Sequence, residues 1–168
     1  MNTDITKPII VLVRTQLPQN IGSTARAMKN CGLSELRLVE PREKWQNDDA
    51  SSMAAVADDI LKNIKVFENI PSALSDVIHI FSLTARNRDI TKIELGPDYA
   101  AKKIYENCIK NEKSAILFGP EQSGLTNDEI AYSNFFVKVP MVENFSSLNL
   151  SQAVLLICLL YTSDAADE

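Results

Sequence analysis

Histidine, tryptophan and cysteine are scarce in this chain: one, one and three in 168 residues. The single histidine and the widely spaced Cys31, Cys108 and Cys158 make no CxxC pair or Cys/His cluster, so no metal is expected. A sparse, odd set of cysteines excludes a disulfide-stapled mini-protein and predicts reduced thiols in a cytoplasmic protein. Long apolar runs are also missing. The longest, Ala153–Tyr161, is too short to span a bilayer, so no membrane partner is expected. The start Met1-Asn2-Thr3-Asp4 lacks the basic and apolar regions of a secretory signal. Positive charge is in deficit: 17 Lys and Arg against 22 Asp and Glu leave −5, which alone speaks against a nucleic-acid-binding domain. Glycine is limited to five residues, and neither GxGxxG nor a Walker A loop is present.

What remains is an ordinary globular composition, 45% hydrophobic and 23% charged, of a size that buries a real core. Strands are predicted at Pro8–Val13, Glu35–Val39, Ile64–Phe67, Val77–Ser82, Ser114–Phe118 and Phe135–Val139. Helices are predicted at Ser23–Cys31, 50–63, Asp98–Asn111 and Leu148–Leu160, with a helical turn over Ile70–Asp76. Thr126 and Glu129 have the spacing of a capping box. The alternation predicts an α/β fold with a mostly parallel sheet flanked by helices. No repeat or linker divides it, so residues 1–161 are expected to form one domain. Residues 162–168 (TSDAADE) break abruptly from the apolar run before them and read as a short acidic tail, either a non-native or truncated junction or a frayed acidic C-terminus. His79, inside an apolar strand, reads as a semi-buried histidine and not a catalyst.

Open α/β sheets bind ligands beyond the carboxyl ends of their strands. Three loops there carry candidate chemistry. In Asn20-Ile21-Gly22-Ser23-Thr24-Ala25-Arg26, Gly22 would let backbone approach a ligand closely, and a helix starting near it would place Arg26 one turn in, able to meet a phosphate or a reacting hydroxyl. The plain alternative is a capped helix with a surface arginine. In Gly119-Pro120-Glu121-Gln122-Ser123-Gly124-Leu125-Thr126, Glu121 sits between two glycines after a buried strand, and a simple turn is the alternative. In Phe145-Ser146-Ser147-Leu148-Asn149-Leu150, Ser147 and Asn149 either cap a helix or meet a ribose or adenosine-type ligand. A fourth segment, Leu83-Thr84-Ala85-Arg86-Asn87-Arg88, carries two arginines past a strand end.

In this order the three motifs resemble those of the SPOUT RNA 2′-O-ribose methyltransferases, nearest the TrmJ-type branch of the TrmH group. The resemblance runs from about Pro8 to Tyr161. It implies a C-terminal deep trefoil knot, S-adenosyl-L-methionine as cofactor, a homodimer with its site near the subunit interface, and tRNA cytidine or uridine 32 as target. Carried over by position, the implied cofactor contacts are Leu83, Thr84, Ala85, Gly119, Val139, Ser146, Ser147 and Leu148. Arg26 matches the catalytic arginine, supported by Asn20, Glu121, Ser147 and Asn149. Arg14, Arg26, Arg86 and Arg88 are the candidate RNA contacts. Pro120 departs from the pattern, which has an arginine there. The chain also stops where such enzymes continue into a C-terminal extension. Another RNA site, or an RNA-binding module without catalysis, is the alternative. The charge deficit weakens on inspection. Lys7, Arg14, Arg26, Lys29 and Arg37 outnumber Asp4, Glu35 and Glu40 in residues 1–40, whereas Asp164, Asp167 and Glu168 crowd the last seven.

Overall fold

The computed structural model describes residues 5–85, 91–143 and 147–167. At its centre lies β1 (Ile9–Val13), five buried residues of which four are β-branched. A strand covered on both faces needs such a continuous apolar run. It pairs in parallel with β2 (Leu36–Val39) on one side and β6 (Ser114–Phe118) on the other. Outward from β2 comes β3 (Lys65–Phe67). Outward from β6 come β4 (His79–Thr84), β7 (Phe135–Lys138) and β5 (Ile93–Leu95). The order is β3-β2-β1-β6-β4-β7-β5, with every pair parallel. This is the α/β class expected from the sequence. Its consequence is positional: the carboxyl ends of all these strands open on one edge.

Successive residues of a strand face opposite sides. Ile10 and Leu12 therefore join one apolar cluster with α1 (Pro18–Asn30), α5 (Pro97–Ile109) and α7 (Leu150–Ala166). Ile9, Val11 and Val13 join a second, with Ile70 and Ala73 of α4 (Ile70–Ala73) and Ile130 of α6 (Asn127–Ile130). Two short helices, α2 (Asp48–Ala54) and α3 (Asp58–Lys62), complete the first layer. Among the described residues no helix is long and apolar enough to cross a membrane.

Four expectations change. First, α1 begins at Pro18 and not at Ser23, with the proline in the first helical turn, where its missing N–H costs nothing. Asn20, Gly22 and Ser23 are thus helical, and Arg26 lies two turns in. Second, the helix expected over 50–63 breaks in two at Ala55, whose φ of 54° is left-handed. Third, β5 was not foreseen: three edge residues carry too little pattern to read. Fourth, α7 continues through Thr162 to Ala166.

Gly22 also has a different task from the ligand approach its loop had implied. A Cβ there would lie 2.0 Å from the carbonyl oxygen of Ala50. The missing side chain lets α2 lie directly on α1.

Candidate active site

The loop after β6 turns back sharply on itself. A Cβ on Gly119 would meet the Leu125 nitrogen at 2.3 Å, and Gly124 takes a left-handed φ of 68°. Both positions need glycine for physical reasons. The Gly124 N–H donates to the Pro120 carbonyl at 3.0 Å and closes the turn.

Behind this turn lies a cavity of about 300 Å³. Leu83, Thr84 and Ala85 reach it from β4, Gly119 from β6, Val139 from the end of β7, and Ser147 and Leu148 from the entry to α7. All the implied cofactor residues within the described segments therefore meet at one place. Ser146, Arg86 and Arg88 lie outside the described residues. Gln122, Ser123, Met141, Leu150 and Ala153 also line the cavity and were not singled out. Gln122 and Ser123 were legible as the interior of the glycine loop; Met141 had no signal. Apolar walls from Leu83, Val139, Leu148 and Leu150, with polar groups on Thr84, Gln122, Ser123 and Ser147, suit a nucleoside bearing a polar tail.

A second cavity of about 380 Å³ lies on the other side of the same loop. Arg14, Gln16 and Leu17 face Pro120–Ser123 across it. Glu121 is spent on the start of α1. Its carboxylate accepts from the Gln16 N–H at 3.0 and 3.2 Å, the Leu17 N–H at 3.2 Å and Asn20 Nδ2 at 3.1 Å. A negative group at a helix N-terminus satisfies orphan donors and meets the positive end of the dipole. Local sequence could not show this, because the cap comes from 104 residues away.

Arg14 extends from the end of β1 to α6. Its Nε and Nη2 donate to the two Glu129 oxygens at 2.7 and 3.0 Å. Burial pushes the Glu129 carboxyl up, but the hydrogen bonds from Arg14 and the Thr126 N–H, with the arginine's charge, bring it below its ordinary value. The same bond raises Arg14 against its own desolvation. Glu129 was read from sequence only as half of the capping box, which is present. Asn149 caps α7, accepting from the Ser151 N–H at 3.0 Å and hydroxyl at 2.7 Å. Arg26 is exposed on α1 and lines neither cavity, and its side chain has no hydrogen bond or ion pair among the described residues. His79 lies at the opposite, amino end of β4, 2.5 Å from Glu112.

A parallel sheet with a cavity over the carboxyl ends of β4, β6 and β7, beside a glycine turn, defines a domain of the α/β class with its cavity where such sheets take their ligands. The particular family follows from comparison: residues 7–159 match the SpoU rRNA Methylase family, and the chain belongs to it. It is 42% identical over 145 residues to the tRNA (cytidine/uridine/adenosine-2′-O-)-methyltransferase TrmJ of Pseudomonas aeruginosa, covering 86% of this chain and 56% of that protein. The crystal structure of TrmJ from Z. mobilis superposes with a TM-score of 0.88 at 42% identity, over 95% of this chain and 70% of that one. The fold alone is shared with the SpoU methyltransferase AviRb of Streptomyces viridochromogenes, solved with the cofactor AdoMet. There the TM-score is 0.76 at 15% identity, over 100% of this chain and 63% of that one. The chain spans little more than half the length of the curated TrmJ relative.

Proposed function

We propose that this chain is a catalytic domain that transfers a methyl group from S-adenosyl-L-methionine to the ribose 2′-hydroxyl of tRNA, at cytidine or uridine 32. One observation carries the reading: residues of separate sequence motifs converge on a single cavity at the strand ends. Leu83, Thr84, Ala85, Gly119, Val139, Ser147 and Leu148 would hold the cofactor there. Bound in that cavity, S-adenosyl-L-methionine supplies a methyl group already activated on a sulfonium.

The chain's own work is then to orient the ribose and to make its hydroxyl acidic enough to release its proton to water as the methyl transfers. Arg26 is a permanent cation, so a base role is costly for it. Its part is to bind the phosphate beside the target ribose and make the 2′-hydroxyl more acidic through its charge. Asn20 and Glu121 hold the start of α1 against the glycine loop. Asn149 fixes the start of α7 below Ser147.

A homodimer belongs to the same reading. α7 is apolar on most faces and leaves Leu155 and Leu159 exposed. Arg26 lines neither cavity of its own chain, as suits a site completed near a subunit interface. The trefoil knot and a cytoplasmic location complete the proposal.

Tritiated methyl transfer to bulk tRNA, with mapping of the modified nucleotide, tests it. The expected product is 2′-O-methylated cytidine or uridine at position 32. Absence of both methyl transfer and cofactor binding would overturn the reading. A mapped methyl elsewhere would correct the target and keep the chemistry.

A further inference from the structure

The loop between β6 and α6 is the common wall of both cavities, and two carboxylates tie it to the first part of the chain. Glu121 ties its start to α1. Glu129 ties its end to Arg14. The second tie exceeds what the fold needs from a helix cap. Glu129 Oε2 accepts from the Thr126 N–H at 2.7 Å, which completes the capping box. A neutral glutamine serves that purpose as well as glutamate. The charge and the other oxygen serve the Arg14 fork: Oε1 accepts from Nε at 2.7 Å, while Oε2, shared with the cap, accepts from Nη2 at 3.0 Å. The pair is partly withdrawn from water, with side chains 32% and 15% exposed, so screening weakens it less than a surface pair. Arg14 reaches it from a left-handed backbone, φ 53°, which a non-glycine residue holds only when its surroundings fix it. Its own N–H donates to the Val39 carbonyl at 2.8 Å, anchoring that turn to the sheet.

We propose that Arg14 and Glu129 are a positioning pair for methyl transfer, locking the Gly119–Leu125 turn in the shape both cavities require. This rests on reading the first cavity as the S-adenosyl-L-methionine site. Arg14 then acts through the loop and is not an RNA contact.

The test uses the full chain with Glu129→Gln, Arg14→Gln, Arg14→Lys and the Arg14→Gln/Glu129→Gln double variant. Glu129→Gln is the central one, because its one oxygen can keep the helix cap while the charge is lost and an amide N–H replaces the oxygen that accepted from Arg14 Nε. Four quantities are read: amide hydrogen exchange of residues 119–126 without ligand, calorimetric affinity for S-adenosyl-L-methionine, KM for tRNA, and the melting temperature. Both Gln variants should speed exchange of the loop and weaken cofactor binding by about tenfold, with KM for tRNA unchanged. The double variant should be no worse than either single one, since both break the same contact. Arg14→Lys, which keeps the charge but loses the fork, should recover part of the affinity.

Unchanged loop exchange in Glu129→Gln overturns the proposal, whatever the melting temperature does. So does a rise in KM for tRNA in the chains carrying Arg14→Gln but not in Glu129→Gln alone, which makes Arg14 an RNA contact. If the wild-type chain binds no S-adenosyl-L-methionine, the cofactor reading falls, while loop exchange still judges the pair.

Discussion

Asn20 donates from its side-chain amide to Glu121 across 3.1 Å, joining the first turn of α1 to the glycine loop after β6. The two residues lie 101 positions apart, and both were candidate site residues. Their first duty is to each other. Asn20 is buried, and Glu121 has no spare oxygen that is not already accepting from α1 or its approach.

Asn20→Asp tests that relationship. It sets carboxyl against carboxyl, so the second can ionise only at a cost. The variant should lose about 2 kcal/mol of stability at pH 7. Repulsion raises the folded pKa of the new acid, so the deficit should shrink as the pH falls through the carboxylate range. Urea midpoints at pH 7 and pH 4 measure this. An equal deficit at both would show that Asn20 is not held against an ionised Glu121.

Gly22→Ala should destabilise although alanine is the better helix former by about 1 kcal/mol. The added Cβ would meet the Ala50 carbonyl oxygen at 2.0 Å and its carbon at 2.9 Å. Both are backbone atoms and cannot swing aside. A net loss of about 2 kcal/mol is expected, from parting α1 and α2. Thermal melting is enough to measure it, and a stabilised variant would refute the close contact.

Arg26 carries the sharpest prediction about chemistry. If its charge is what activates the hydroxyl, Arg26→Lys retains partial kcat and Arg26→Ala falls by about a hundredfold or more. Stability should be untouched in both, because the Arg26 side chain is exposed and has no hydrogen bond or ion pair among the described residues. Should lysine prove as inactive as alanine while cofactor and tRNA still bind, the fork geometry of arginine is the requirement and charge alone is not.

A structural network lies at the far end of the sheet. Arg37 of β2, only 3% exposed, donates to Asp76 at 2.6 and 2.9 Å, to Glu35 at 2.8 and 3.2 Å, and to the Ala73 carbonyl at 2.7 Å. The Arg37 guanidinium holds the Asp76 carboxyl well below the usual carboxylate range. A carboxyl depressed in this way adds stability that is complete above its unfolded pKa, about 3.9, and lost as pH falls toward the folded value. Asp76→Asn should therefore cost about 2 kcal/mol at pH 7, less than for a fully buried pair because Asp76 is itself exposed. The gap to wild type should close as the pH falls below 4. Denaturant midpoints from pH 7 to 2 follow it, and a constant gap would rule out the pair as its source.

Much of this was readable from local sequence, and the exceptions share a cause. The apolar runs Ile9–Val13 and Ser114–Phe118 announced strands covered on both faces. Thr126 and Glu129 announced a helix start three residues apart. The start of α1 was misplaced because its cap is Glu121, which no window around Pro18 contains. Gly22 was assigned to a ligand because the carbonyl it admits belongs to Ala50. β5 went unseen because three edge residues leave no periodicity to detect. Within the site, Leu83, Gly119, Val139 and Leu148 came from separate motifs, and only the parallel sheet brings them together. Glu129 was recognised for its cap and not for Arg14, since a capping box is local and an ion pair across 115 positions is not.

The parallel pairing of β1 with β6 has a consequence for the order of events during synthesis and refolding. The glycine turn is pinned by partners 101 to 115 positions earlier in the chain. Neither half can prepare the pocket alone: the first presents a helix without its cap, the second a turn without its anchors. Closing so long a span is slow, and its entropy is repaid only once β1 and β6 have joined. Ligand-binding competence should therefore arrive late in folding, after most of the secondary structure. A nascent chain that has not yet exposed residue 129 should carry its first sheet layers and still be unable to hold ligand.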